Sequence, residues 1–69
     1  MSIKKAMYDT ALAELEAQRD KALATARIYL EHPVGIGEHP QVIDEFIKQI
    51  KIAAEADEAA SMLIDTFRD

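Results

Sequence analysis

Apolar residues recur along this chain at steps of three and four on either side of a single interruption. In the first half, Tyr8, Leu12, Leu15, Ala22, Leu23, Ala26, Tyr29 and Leu30 fall on one face of a helix, each residue turning the direction by about 100°. The alternation through Tyr8, Leu12, Leu15, Ala22, Ala26 and Tyr29 has one gap, and Arg19 stands in it. A thinner stripe of Ala6, Ala13, Ala17, Ala24 and Ile28 lies on another side, where small side chains would let a further helix approach closely. In the second half, Ile43, Phe46, Ile50, Ala53, Asp57, Ala60, Ile64 and Phe67 alternate strictly by three and four, the spacing of a coiled-coil seam. Asp57 is its one charged member. Ile47 and Ala54 widen this seam, and Ile52, Ala56, Ala59 and Leu63 form a second apolar strip. One neighbouring helix cannot cover both strips, so the pattern predicts a second helix packed on two sides, as in a four-helix bundle made from two hairpins.

Glycine and proline occur only between positions 33 and 40, which divides the chain into helices of about 3–31 and about 41–67 around a loop, 32–40. Pro33 pushes His32 out of the α region and stops the first helix. Pro40 suits the first position of the next helix, where its missing N–H costs nothing. Asp44 and Glu45 then fall near the positive end of that helix dipole. Gly35 and Gly37 supply the positive φ that a tight reversal often needs. Val34 and Ile36 are expected to fold back over the open end of the core, near Tyr29, Leu30 and Ile43, making the loop an ordered cap. Two rods of roughly 42 Å, at 1.5 Å per residue, joined by so short a loop must run antiparallel. The predicted fold class is all-α: one antiparallel two-helix hairpin over residues 1–69.

Size and charge then narrow the possibilities. A chain of 69 residues buries too little surface to be comfortably stable without a staple. Cysteine is absent and there are two histidines, so disulfides and Cys-based zinc sites are excluded, and self-association into a homo-oligomer is the expectation. The net charge of −5 opposes a broad grip on nucleic acid and on an anionic membrane surface. No apolar run approaches the roughly 18 residues of a membrane span, and the N-terminus lacks a signal-peptide core. A cytoplasmic location follows as the expectation.

Candidate chemistry is sparse. Gly35-Ile36-Gly37 before a helix start resembles a fragment of an anion-binding loop. It lacks the third glycine, the preceding strand and the Lys-Ser/Thr of a P-loop, and Glu38 would repel a phosphate. A structural turn is the preferred reading. His32, Glu38 and His39 match no zinc spacing, so no metal or cofactor is predicted. Arg19 and Asp57 interrupt the two seams at nearly the same level of a hairpin. They read as a buried or half-buried ion pair that fixes register, within one chain or across a dimer. No serine lies near a histidine, the carboxylates sit on helix faces expected to be solvated, and the Glu-x-x-His of di-iron bundles is missing. The chain reads as a non-enzyme.

The segment Tyr29-Leu30-Glu31-His32-Pro33-Val34-Gly35-Ile36-Gly37-Glu38-His39-Pro40, followed by a helix rich in Ile, Lys, Ala and Glu, resembles a group of short uncharacterised helical-hairpin proteins of tailed bacteriophages, T4-like and marine phages among them. These carry a similar Asn-Pro-Val-Gly-Ile-Gly-Glu-His loop between two helices; here His32 stands in place of the Asn. The likeness covers the loop and up to half the chain. It implies a phage accessory protein acting in the bacterial cytoplasm, and it carries over no catalytic residue. The leading expectation is therefore a protein that binds a host or phage protein, with Gly35, Gly37, Glu38 and His39 of the loop and the nearby Arg27 as the candidate surface. One alternative is an oligomeric sponge for a small anionic ligand such as a nucleotide signal, held by loop amides with Arg27, Lys21 or Arg19. The other is an RNA-binding hairpin like the Rop-type regulators. Lys4, Lys5, Arg19, Lys21 and Arg27 make the first helix the more basic, but the overall acidity disfavours this.

Overall fold

A computed structural model describes residues 2–32 and 41–68, and among these it contains two helices and no strand. Helix α1 spans Ile3–Glu31 and helix α2 spans Gln41–Phe67. Ser2 starts α1: its backbone is extended, and its Oγ accepts a hydrogen bond of 3.0 Å from the Lys5 N–H. That satisfies one of the four amide groups a helix start leaves open. At the other end the His32 N–H donates to the Ile28 carbonyl at 3.0 Å, while His32 itself leaves the helical region at φ −128° and ψ 68°, as the following proline requires. Asp44 occupies the first turn of α2, and Glu45 lies just beyond it. The loop contacts expected of Val34 and Ile36 fall outside the described residues.

The two helices pack along their length and run antiparallel. Tyr29 meets Val42 and Phe46 at one end, Arg19 meets Asp57 in the middle, and Tyr8 faces Phe67 and Arg68 at the other. On α1 the side turned toward α2 carries Tyr8, Leu12, Leu15, Arg19, Ala22, Ala26 and Tyr29, all buried or half-buried. This is the stripe expected from spacing, Arg19 included. Leu23 and Leu30 lie at its margin and are exposed.

On α2 the contact face differs from the expected seam. The residues withdrawn from solvent are Val42, Phe46, Gln49, Ala53, Ala56, Ala60 and Leu63, with Ala59 and Ile64 beside them. Ile43, Ile50, Asp57 and Phe67 are exposed instead. Phe46, Ala53, Ala60 and Ile64 belong to both sets, so the helix is turned about its axis relative to the expected seam. The fully buried residues among those described are all alanines, Ala22 and Ala26 on α1 and Ala53, Ala56 and Ala60 on α2. Small side chains turned inward on both helices allow the backbones to come close, and α2 turns its alanine row rather than its isoleucine row toward α1. The outer stripe of α1, Ala13, Ala17, Ala24 and Ile28, is exposed.

A core made of five alanines has consequences. At ~0.8 kcal/mol for each buried methyl-sized group, the fully buried side chains contribute only a few kcal/mol. No large side chain is completely enclosed among the described residues. The hairpin measures 53 × 18 × 14 Å with a radius of gyration of 15.9 Å, against ~11 Å for a compact chain of this length. It exposes 5544 Å², where a compact chain of 7.7 kDa would expose ~4,300 Å². No described helix is long and apolar enough to cross a membrane.

Candidate interaction surface

Seven-residue steps keep a helix face nearly constant, and two such series define one flank of the hairpin. On α1 they run Asp9, Glu16, Leu23, Leu30; on α2 they run Ile43, Ile50, Asp57, Ile64. Arg19 and Asp57 fix which flank this is, because they reach across it to one another. Leu30 lies beside Ile43 in a cleft with Phe46. Since α1 and α2 run in opposite directions, seven residues back from Leu30 and seven forward from Ile43 bring Leu23 level with Ile50. Leu23, Leu30, Ile43 and Ile50 form an apolar patch on the loop-proximal half of the flank, each between 40% and 66% exposed; Ile47 lies farther round α2, in a cleft with Lys48, Lys51 and Ile52. Beyond the patch the same flank turns polar at Glu16, Arg19 and Asp57.

The opposite flank has another character. There Gln18, Lys21 and Thr25 of α1 share a cleft with Gln49 and Ile52 of α2, and Leu15, Gln18, Glu55 and Ala59 continue it. Its lining mixes the polar Gln18, Lys21, Thr25, Gln49 and Glu55 with Leu15, Ile52 and three alanines, and of these apolar residues Ile52 is the large exposed one.

Arg19 sits on the polar stretch of the first flank. Its Nε donates to Asp20 Oδ1 at 3.0 Å and one terminal nitrogen donates to Asp57 Oδ1 at 3.3 Å. The hydrogen bond to Asp20, then that to Asp57, raises the guanidinium pKa further above its already high ordinary value. The Arg19 side chain is 30% exposed and that of Asp57 62%. The single hairpin therefore holds this contact within one chain at a partly solvated edge, with Arg19 half-buried and Asp57 exposed.

The remaining sequence-derived candidates do not converge. Gly35, Gly37, Glu38 and His39 lie outside the described residues. Arg27 is exposed on α1. Lys21 lines the polar cleft, where Arg27 and Arg19 are absent from the lining, and Arg19 is engaged by two carboxylates. Residues two apart on a helix point roughly 160° away from each other, so Lys21 and Arg19 address different sides. Among the described residues no three acidic or histidine side chains gather as a metal set.

One grouping could not be seen in sequence because it joins the two ends of the chain. Ser2, Lys4, Lys5, Tyr8 and Asp9 of α1 and Phe67 and Arg68 after α2 line an open cleft of about 320 Å³. Within it Lys5 Nζ lies 2.8 Å from Asp9 Oδ2; this hydrogen bond, reinforced by Coulomb attraction, raises the Lys5 pKa. The apolar flank was only half legible. By spacing Ile43 and Ile50 belong to the core seam of α2, and the recurrence of Leu23 and Leu30 at seven residues is the remaining signal in the sequence. No protein-family model matches the chain, and no curated protein or solved structure shows significant similarity to it.

Proposed function

We propose that this chain is a non-enzymatic interaction protein: a helical hairpin that associates with copies of itself and acts by binding another protein. The observation that supports this is the apolar flank. Soluble monomers rarely leave a contiguous patch of large aliphatic side chains uncovered unless it binds something, and here it lies beside a core of five alanines too small to hold the fold comfortably. The loop segment from Tyr29 to Pro40, similar to that of the phage hairpins, supports the more particular reading of a phage accessory protein working on a host or phage protein in the bacterial cytoplasm. Sedimentation velocity at micromolar concentration tests the first part, and a stable 7.7 kDa monomer would overturn it. Affinity capture from bacterial lysate with mass spectrometry tests the second, by recovery of one protein at constant stoichiometry.

A second reading, an oligomer that binds a small anion, draws on the cleft that brings Lys4, Lys5 and Arg68 together at the open end. A thermal-shift screen against nucleotides separates it from the first, since a ligand at 100 times its dissociation constant adds about 2.7 kcal/mol.

A further inference from the structure

We infer that the flank bearing Leu23, Leu30, Ile43 and Ile50 is covered by the same flank of a second copy, with both loops at the same end of the dimer. The inference rests on the self-association proposed above and adds the face and the orientation.

The choice of flank follows from the contrast between the two sides. A second helix pair can lie against either, but on this one large exposed aliphatic side chains of both helices stand at matching levels, Leu30 beside Ile43 and Leu23 level with Ile50. The other mixes Leu15, Ile52 and alanines with Gln18, Lys21, Thr25, Gln49 and Glu55, polar groups that are better left in water. The strict 3–4 seam of α2 gains a purpose here. Phe46, Ala53 and Ala60 already touch α1 along one edge of that seam, and Ile43, Ile50 and Asp57 form its other edge. A helix used on both edges is a helix in a four-helix bundle.

The choice of a second copy follows from area. Two separate hairpins expose twice 5544 Å², and a compact body of their joint mass would expose ~7,200 Å². The difference, up to ~3,900 Å², lies within the 2,000–5,000 Å² typical of obligate homodimers. The patch also sits on both helices of the hairpin, so a twofold axis can match it with itself.

The orientation follows from where the patch lies. It occupies the loop-proximal half, while the same flank carries Asp9, Glu16 and Asp57 farther on. With the loops at opposite ends and full overlap, Leu23 and Leu30 of one copy would face the level of the partner's Asp9 and Lys5, burying charge against aliphatic groups. With the loops together, aliphatic levels meet aliphatic levels, and Arg19 lies between its own Asp57 and the partner's Asp57.

The test uses the full chain, which has no cysteine. Spin labels on His32→Cys in the otherwise unchanged protein report orientation by electron–electron distance. Loops at one end give a separation well below the 53 Å length of the hairpin; a separation near that length overturns the orientation. Sedimentation equilibrium of Ile50→Glu, with Ile52→Glu on the other flank as its match, reports the face. Ile50→Glu weakens association by about 100-fold or more, and Ile52→Glu changes it little. The reverse order overturns the choice of face while leaving self-association standing. Leu23→Ala, too mild to unfold a helix, repeats the comparison with helicity followed by circular dichroism. A wild-type chain that is monomeric throughout removes the proposed function and this inference together.

Discussion

At the scale of single residues, the most consequential side chains are polar ones at edges. Ser2 holds the first turn of α1 through one hydrogen bond, and α1 has no acidic residue in that turn to assist it. Ser2→Ala should cost about 1 kcal/mol, read as a lower midpoint in urea denaturation. Lys5 and Asp9 form an exposed pair in the same region. Because folding raises the Lys5 pKa above its ordinary 10.5, the pair's contribution is complete below that value and disappears as pH climbs through the higher folded value. The difference in melting temperature between the wild type and Lys5→Gln should therefore hold through neutral pH and close above about pH 10.5. Arg19 and Asp57 behave differently from what their positions in two hydrophobic seams suggest. Asp57 is mostly in water and Arg19 keeps Asp20 as a second partner. Asp57→Ala should consequently change hairpin stability little at low protein concentration, where a dry ion pair would have left a costly orphan charge.

At the scale of the elements, the alanine contact decides how α1 and α2 meet. Large side chains usually fill the seam between two helices; here the residues most fully withdrawn from solvent are Ala22 and Ala26 on α1 and Ala53, Ala56 and Ala60 on α2. Such a contact has no room for growth. Ala53→Leu should destabilise by about 1–3 kcal/mol, the usual cost of overpacking, while Ala24→Leu on the exposed outer face of α1 should stay within about 0.5 kcal/mol. Thermal denaturation of the two variants at equal concentration makes the comparison, and equal losses would mean that the alanine row is not the contact. The close approach also explains why isoleucines end up outside: a helix pair that meets along its smallest residues leaves the bulkier ones at the flanks.

At the scale of the whole molecule, a hairpin 53 Å long with a thin core and an exposed apolar flank is, on the proposed self-association, one half of a dimer. Its melting temperature should rise with protein concentration, as mass action requires when only the folded state associates. A constant value over a hundredfold range of concentration would show that one hairpin suffices. Each copy also carries a net charge of −5, so two copies repel one another overall despite the local attraction of Arg19 for Asp57. Like charges that are brought together repel less when screened, so added salt should tighten the association, measured as a lower dissociation constant by sedimentation.

Much of this architecture was readable without coordinates. Helix positions 3–31 and 41–67 followed from helix-forming residues on both sides of the one stretch that holds proline and glycine, because those two residues act through the local backbone. The α2-facing side of α1 was legible for a related reason: one dominant stripe admits one way to pack. For α2 there were two apolar strips, and periodicity alone cannot say which of them a neighbour takes. The answer depended on how closely two backbones can approach, which is set by the alanines of both helices at once. The Arg19–Asp57 contact was likewise legible as a matching of levels, whereas its partial exposure depended on the turn of α2 about its axis. The cleft joining Ser2, Lys4 and Lys5 to Arg68 left no trace in the sequence, since its residues come from opposite ends of the chain. What the sequence by itself determined was where the helices begin and end and which residues are apolar. Only the tertiary structure decided which apolar residues are enclosed in the hairpin and which stay exposed, because that division is a property of two surfaces in contact and not of either one alone.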